Sequence, residues 1–387
     1  MKAHTAAEGN AMTQTADYTI SLIRALMQEQ PVPPIPEGIS LQELFDFSRS
    51  HGIESLVFRG LAPLPCRDDP VWKQWENRAN LLLAQSIVQL QERDELIQAL
   101  TRSGIPVLPV KGCWLKELYP DLNDRQMSDL DMLIHPEDAP SAEAILLSMG
   151  YQREEVSFHH TAYRKPPYTA VELHISLLPE TDEHFDYYQN IWEKAIPVAQ
   201  TPGLYRLKPE DEYLYYIVHL SKHLSEGGSG IRSLLDNSIY ARCFPKLDRA
   251  YLEGELKTLG LLELAQQVQI LSRCWFETGQ ALPESLRPLA LAVCTSGTYG
   301  TLEQRTRSRM ERLRQQYPNP VLRFFAYCLP RFFRPLSEMK RRYPVLEKAP
   351  ILLPVFWVVR MVSMMLRNEK SFWQHLKSLF VKGGSHG

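Results

Sequence analysis

At 387 residues the chain is long enough for two or three domains and a substantial core. Hydrophobic content of 44%, charge of 23% and 10% aromatics are those of an ordinary folded, soluble protein and exclude a low-complexity or collagen-like chain. The formal net charge of −2 conceals an asymmetry: residues 301–387 hold 17 Lys and Arg against 5 Asp and Glu, which leaves about −14 on the first 300 residues.

A basic C-terminal region on an acidic body suits an anionic membrane, a nucleic acid or the acidic body itself, and the intramolecular reading is preferred. The six cysteines form no CxxC pair, so they are expected to be free thiols in a reducing cytoplasm. The start of the chain, "MKAHTAAEGNAMTQTADYT", has no apolar central region and predicts a flexible lead-in over 1–16 rather than a secretory signal. The stretch 351–366, "ILLPVFWVVRMVSMML", carries Arg360 at its middle and falls short of the ~20 apolar residues of a membrane span.

In chain order, helical spacing over 17–30 and 41–50 is separated by the Pro-rich connector "PVPPIPEG". Residues 71–103 form one long amphipathic pattern closed by Gly104. The period then changes. "IPVLPV" (105–110) predicts a short strand, Gly112 opens a short helix to about Tyr119, and "SDLDMLI" (128–134) predicts the next strand. A helix over 138–149 ends at Gly150, after which "YQREEVSFHHTAYRKP" and "YTAVELHISLL" alternate as paired antiparallel strands do. From about 186 onward the pattern predicts helices at 208–225, 231–243 and 248–280.

Three features of the mixed segment carry chemistry. In "VLPVKGCWLKEL" a strand runs into a glycine-opened helix, whose N–H groups and dipole favour phosphate, with Lys111 and Arg125 as cationic contacts. Asp129 and Asp131 flank Leu130, and on a strand such residues project from one face, which suits chelation of Mg²⁺. A strand end with two exposed aspartates is the plain alternative. Glu172, between apolar residues in "TAVELHISL", adds a carboxylate on a later strand, where an edge glutamate facing solvent is the plain alternative.

Together, a strand–Gly–helix, a strand with DxD and a later acidic strand resemble the nucleotidyltransferase fold seen in DNA polymerase beta. Gly112, Asp129, Asp131 and Glu172 fall on that superfamily's pattern. Cys113 stands where Ser or Gly is usual, and the gap to Asp129 is somewhat long. "LPVKGCWLKELYPDLNDRQMSDLDMLI", "LLSMGY", "VELHISL" and "HLSKHLSEGGSGIRSLLDNSIYAR" further resemble an uncharacterised nucleotidyltransferase family of bacteria, over roughly 80–300.

The resemblance implies an α+β fold: a mixed nucleotidyltransferase sheet with helices, flanked by N-terminal helices and a helical C-terminal half. The divisions expected are a helical region at 17–104, the α/β core at 105–180, a helical domain at 181–300 and a basic helical region at 301–387. It also implies transfer of a nucleotidyl group from an NTP such as ATP to a hydroxyl. Asp129, Asp131 and Glu172 would be catalytic and hold Mg²⁺, with Mn²⁺ as a substitute, while Lys111, Gly112, Cys113, Arg125 and Ser128 would contact the nucleotide. The acceptor is open among a small molecule, which is preferred, a protein side chain and an RNA end. His174 shares the face of Glu172, and either a substrate contact or a structural role fits it. His219 and His223, at i and i+4, lack a third ligand for Zn²⁺. The resemblance places them along the cleft with Arg232 and Asp236. A non-catalytic nucleotide-binding protein or a membrane-peripheral scaffold of the same fold is the alternative. The tail "RFFAYCLPRFFRPLSEMKRR" suits helix-surface arginines as well as stacking on nucleic acid.

Overall fold

The computed structural model describes residues 2–157, 159–298 and 343–367, together with isolated positions between 314 and 340. Helix α1 (Lys2–Met27) already buries Thr15 and Ala16, and Thr19 Oγ1 donates to Thr15 O at 2.7 Å. Helix α1 thus already covers the expected lead-in from Lys2 onward. Its small residues, Ala3, Ala6, Ala7 and Ala11, are strong helix formers, and the packed second half of α1 propagates the helix through them. After the Pro-rich connector, α2 (Leu41–Ser50) opens on a capping box made by Ser40 and Glu43. Then follow α3 (Glu54–Leu61) and α4 (Pro70–Arg102), the long amphipathic helix, which starts on an Asp69 cap with Pro70 in its first turn.

Next comes a five-stranded sheet in the order β1-β2-β5-β4-β3, formed by β1 (Leu108–Pro109), β2 (Leu130–Leu133), β3 (Gln152–Val156), β4 (His160–Lys165) and β5 (Thr169–His174). Its pairs are antiparallel except β2 with β5, which run parallel, so the sheet is mixed as expected. Within the β1–β2 connection lies α5 (Gly112–Leu115), and α6 (Ala139–Ser148) leads from β2 toward β3. The period of two divides β2 between two cores. Leu130 and Met132 pack with Leu96 and Leu100 of α4 and Leu146 of α6, whereas Leu133 joins Leu108 and Val110 in the core shared with the later helices. Asp131, between Met132 and Leu130, consequently faces those later helices.

The second half is not helical throughout. After α7 (Phe185–Tyr188), β6 (Ala195–Pro197) and β7 (Tyr205–Leu207) form a hairpin. Its Pro202–Gly203 turn (Gly203 φ 90°) lies against the approach to β1, where Val107 N donates to Gly203 O and Tyr205 N to Val107 O, each at 2.9 Å. The backbone groups ahead of β1 are thereby satisfied. Then follow α8 (Pro209–Glu226), α9 (Ile231–Cys243), α10 (Arg249–Thr258), α11 (Leu262–Arg273) and α12 (Arg287–Ser296). The stretch predicted as one pattern over 248–280 breaks at Gly260 (φ 67°) into α10 and α11. Helices before and after the sheet share a core: Leu22, Leu44 and Trp75 lie in the same cluster as Tyr215, Leu234 and Phe276.

Among the described residues no helix is long and apolar enough to cross a membrane. Of the basic region, the helix Leu353–Arg367 is described, while most of the aromatic–arginine stretch 323–342 lies outside the described residues.

Candidate functional site

A cleft of about 320 Å³ opens between the sheet and helices α8 and α9, and Asp129, Asp131 and Glu172 all line it. Two local rules bring them together. Asp129 and Asp131 share a face by the strand period, and the parallel register of β2 with β5 sets Asp131 directly opposite Glu172. The plain alternatives, exposed aspartates and a solvent-facing edge glutamate, do not describe this arrangement: Asp131 is 3% exposed and β5 is an interior strand.

Asp131 Oδ1 accepts from Lys111 Nζ at 2.8 Å and from His174 Nε2 at 2.9 Å. Burial disfavours its charge, but Lys111 and His174 outweigh burial and hold the carboxyl well below the usual range. Asp129 goes the other way. Burial and then the neighbouring Asp131 charge push it up to about 6, with Ser128 Oγ donating to Asp129 Oδ1 at 3.0 Å as partial compensation. Glu172 is drawn down by its contact with His174 Nε2, 3.3 Å from Oε2, against burial. Burial works against a charged His174, and its bonds to Asp131 and Glu172 overcome that and raise its pKa.

This like-charge crowding is what a bound divalent cation relieves. One donor atom each from Asp131, Glu172 and His174 lies within 4.8 Å of the others, so the donor set fits a metal ion; the imidazole makes it less purely a hard-oxygen site.

The glycine turn is built for close approach. A Cβ on Gly112 would sit 3.1 Å from Arg125 Nη1 and Met127 Cγ. The helix it opens, α5, is a single turn extended by the tight turn Lys116–Leu118, so its dipole is small and the anion-binding role expected of it falls to side chains. Lys111 itself holds φ 53° and ψ −121°, a conformation that penalises any Cβ. Lys111→Ala and Lys111→Gly both remove the ion pair with Asp131, so their difference isolates the backbone. The glycine variant should be the more stable by about 1–2 kcal/mol in denaturant unfolding. Equal stabilities, or a more stable alanine variant, would contradict strain at Lys111.

The structure reassigns several predicted site residues. Arg125 is committed to Asp236, with Nε donating to Oδ1 at 2.7 Å and Nη2 to Oδ2 at 3.0 Å, both side chains buried, and Tyr119 Oη adding a third bond to Oδ1 at 2.7 Å. It borders the cleft through a guanidinium clamped in a fork–fork pair, so its principal partner is not phosphate. Cys113 is fully buried between β2 and α4, its Sγ facing Asp131 O at 3.6 Å, and is a core residue rather than a nucleotide contact. His174 lies beneath the carboxylates instead of lining the cleft, 2% exposed.

His219 and His223 do line it and face each other, Nε2 to Nε2, at 3.2 Å; among the described residues no third ligand completes a metal site with them. Arg232 lines the cleft and donates Nη1 to Gln126 O at 3.2 Å, making it a cation better placed than Arg125 to meet an anion. Ser229 and Ser233 join it at the start of α9, and sequence reasoning missed both. The run "GGSGIRS" was the available signal, a glycine-rich turn into a helix. A Cβ on Gly230 would come within 2.9 Å of His51 Nδ1 and Thr298 N, so this turn too depends on glycine.

Glu212 was also missed. It lines the same cleft beside Tyr240, whose hydroxyl lies 3.4 Å from Oε2, while Arg206 Nη2 approaches Oε1 only to 3.6 Å and Oε1 has no hydrogen-bond partner among the described residues. Burial pushes its pKa from 4.5 to about 7. Below about pH 4.5 both folded and unfolded chains are protonated there and no penalty exists. Between about pH 4.5 and 7 the unfolded chain ionises while the folded one keeps its proton, so stability falls across that window and the full penalty stands above 7. Glu212→Gln should therefore stabilise the protein by roughly 1–3 kcal/mol at pH 8 and leave it unchanged at pH 4. Urea titrations at both pH values test this; an equal effect at both would place the cause elsewhere.

Residues 37–277 match a protein family described as uncharacterised nucleotidyltransferase. The chain belongs to that family. No curated protein sequence matches it. Among solved structures it is similar to the solution structure of the antibiotic-resistance factor ANT(2'')-Ia, at 11% identity and a TM-score of 0.35, covering 47% of this chain and 98% of that one. A crystal structure of ANT(2'')-Ia in complex with adenylyl-2''-tobramycin is similar at 15% identity and a TM-score of 0.26, covering 49% of this chain and 97% of that one. An antigenic nucleotidyltransferase-like protein from Paracoccidioides brasiliensis is similar at 16% identity and a TM-score of 0.28, covering 50% and 97%. All three TM-scores lie below 0.5, so the family assignment rests on the matched residues and not on these likenesses. Family and architecture together make the chain a nucleotidyltransferase with a mixed sheet set in helices.

Proposed function

We propose that the chain moves a nucleotidyl group from an NTP to a hydroxyl of a small-molecule acceptor, with Mg²⁺, or Mn²⁺ in its place, held by Asp129, Asp131 and Glu172. The observation that carries this reading is the convergence of the three carboxylates on one cleft, with Asp131 opposite Glu172 in register. A bound divalent ion would supply charge neutralisation at the phosphates and a lowered pKa for the attacking hydroxyl. The chain's own residues do the rest. Lys111 and Arg232 bring positive charge to the triphosphate, and Gly112 lets the backbone approach it. The acceptor oxygen forms a bond to the α-phosphorus, the bond from that phosphorus to the β-phosphate oxygen breaks, and pyrophosphate leaves. Glu172, which is half-buried and ionised, takes the proton. A small acceptor suits a cleft of about 320 Å³ whose wall also carries Trp114, Leu207 and Tyr240.

The test is incubation with an NTP labelled at the α-phosphate, Mg²⁺ and a metabolite extract, with an EDTA control. Label should appear on a small molecule and vanish with EDTA. Label on protein or RNA would replace the acceptor class. Tight NTP binding with no transfer to any acceptor would favour the non-catalytic reading.

A further inference from the structure

We propose that His159, His160 and His174 form a second metal site, for a divalent transition ion of the zinc class, adjoining the carboxylate centre and sharing His174 with it. One nitrogen from each of the three rings lies within 4.8 Å of the other two. His159 Nε2 and His160 Nδ1 already stand 3.1 Å apart, close to the ~3.3 Å between two nitrogens bound tetrahedrally to zinc. The backbone fixes this trio. His160 and His174 are direct partners across the antiparallel β4–β5 pair, and His159 O accepts from Ile175 N at 2.8 Å.

Of the ring nitrogens not required for a metal, those of His159 and His174 are held by oxygens behind them, as metal-bound histidines usually are, and that of His160 lies near one beyond hydrogen-bond reach. Ser157 Oγ lies 3.3 Å from His159 Nδ1, Glu172 Oε1 lies 3.8 Å from His160 Nε2, and Asp131 Oδ1 lies 2.9 Å from His174 Nε2. Among the described residues His174 Nδ1 is left buried with no hydrogen-bond partner, an unsatisfied ring nitrogen that a metal bound in place of a proton would occupy. Three imidazoles choose the ion class. Neutral nitrogen donors suit Zn²⁺, Co²⁺ or Ni²⁺ and suit Mg²⁺ poorly. Three protein ligands leave a fourth position for water or a substrate oxygen, beside Glu172. The site does not depend on the transfer reaction and stands or falls separately.

The test uses the full chain, stripped with a chelator and titrated with Co²⁺ alone, followed by visible absorption. One equivalent should give the intense ligand-field bands of a four-coordinate ion. Zn²⁺ should bleach them, and excess Mg²⁺ should leave them in place. His159→Ala and His160→Ala should abolish the bands, whereas Asp129→Asn should retain them. His159→Gln, at a half-buried position, serves if an alanine variant fails to fold, with the melting transition of each metal-free variant as control. Bands that survive the histidine changes, that disappear in Asp129→Asn, or that yield to Mg²⁺ would overturn the proposal and place the ion at the carboxylates.

Discussion

Arg125→Ala should destabilise the protein by about 3–5 kcal/mol, because it leaves the Asp236 carboxylate buried without its cation. Both side chains are under a tenth exposed, and among the described residues Tyr119 Oη alone would remain hydrogen-bonded to the charge. Against a total stability of roughly 5–15 kcal/mol, that is a large share. Arg125→Lys should recover little, since a point charge cannot replace a planar fork meeting both carboxylate oxygens. The pair joins the connection between β1 and β2 to α9, and α9 carries Arg232 and Ser233 into the cleft. Loss of the clamp should therefore loosen nucleotide binding as well as the fold. Guanidinium unfolding of Arg125→Ala, Asp236→Ala and the double variant measures the coupling. If the single changes each cost under about 1 kcal/mol, the range of a surface pair, the clamp is not structural.

Glu172→Gln should separate catalysis from binding. Glutamine preserves size and can still accept from His174, yet it cannot take a proton or offer a full charge to a metal. Transfer should fall by about 10²-fold or more, near 3 kcal/mol in barrier, while Mg²⁺·NTP affinity stays within a few-fold. Quench-flow or steady-state label transfer gives the first number and calorimetry the second. A variant that transfers label at the wild-type rate would remove Glu172 from the reaction.

What the sequence made legible was local. The helix α4 announced itself through its apolar stripe and Gly104, and Asp129 with Asp131 through the strand period. What it hid was long-range. Arg125 reads as a phosphate ligand because its partner Asp236 is 111 positions away. Cys113 reads as part of the phosphate loop because nothing local shows that its side chain turns into the core. The hairpin of β6 and β7 is short and interrupted by Pro197 and Pro202, so its strands carry almost no alternation to detect. His159 and His160 were absorbed into one alternating pattern across 151–166, although the chain turns between β3 and β4 and thereby sets both rings beside His174. Glu172 was visible as a carboxylate, but its place opposite Asp131 required the parallel register.

The most direct test of the account is titration calorimetry of an NTP into the wild-type chain and into Asp129→Asn/Asp131→Asn, each with Mg²⁺ and with EDTA. Circular dichroism should accompany it, because Asp131 also anchors Lys111 and His174. The account predicts that the wild type binds NTP only when the divalent ion is present, and that the folded double variant loses most of that affinity. Equal affinity in both proteins, unmoved by EDTA, would contradict it.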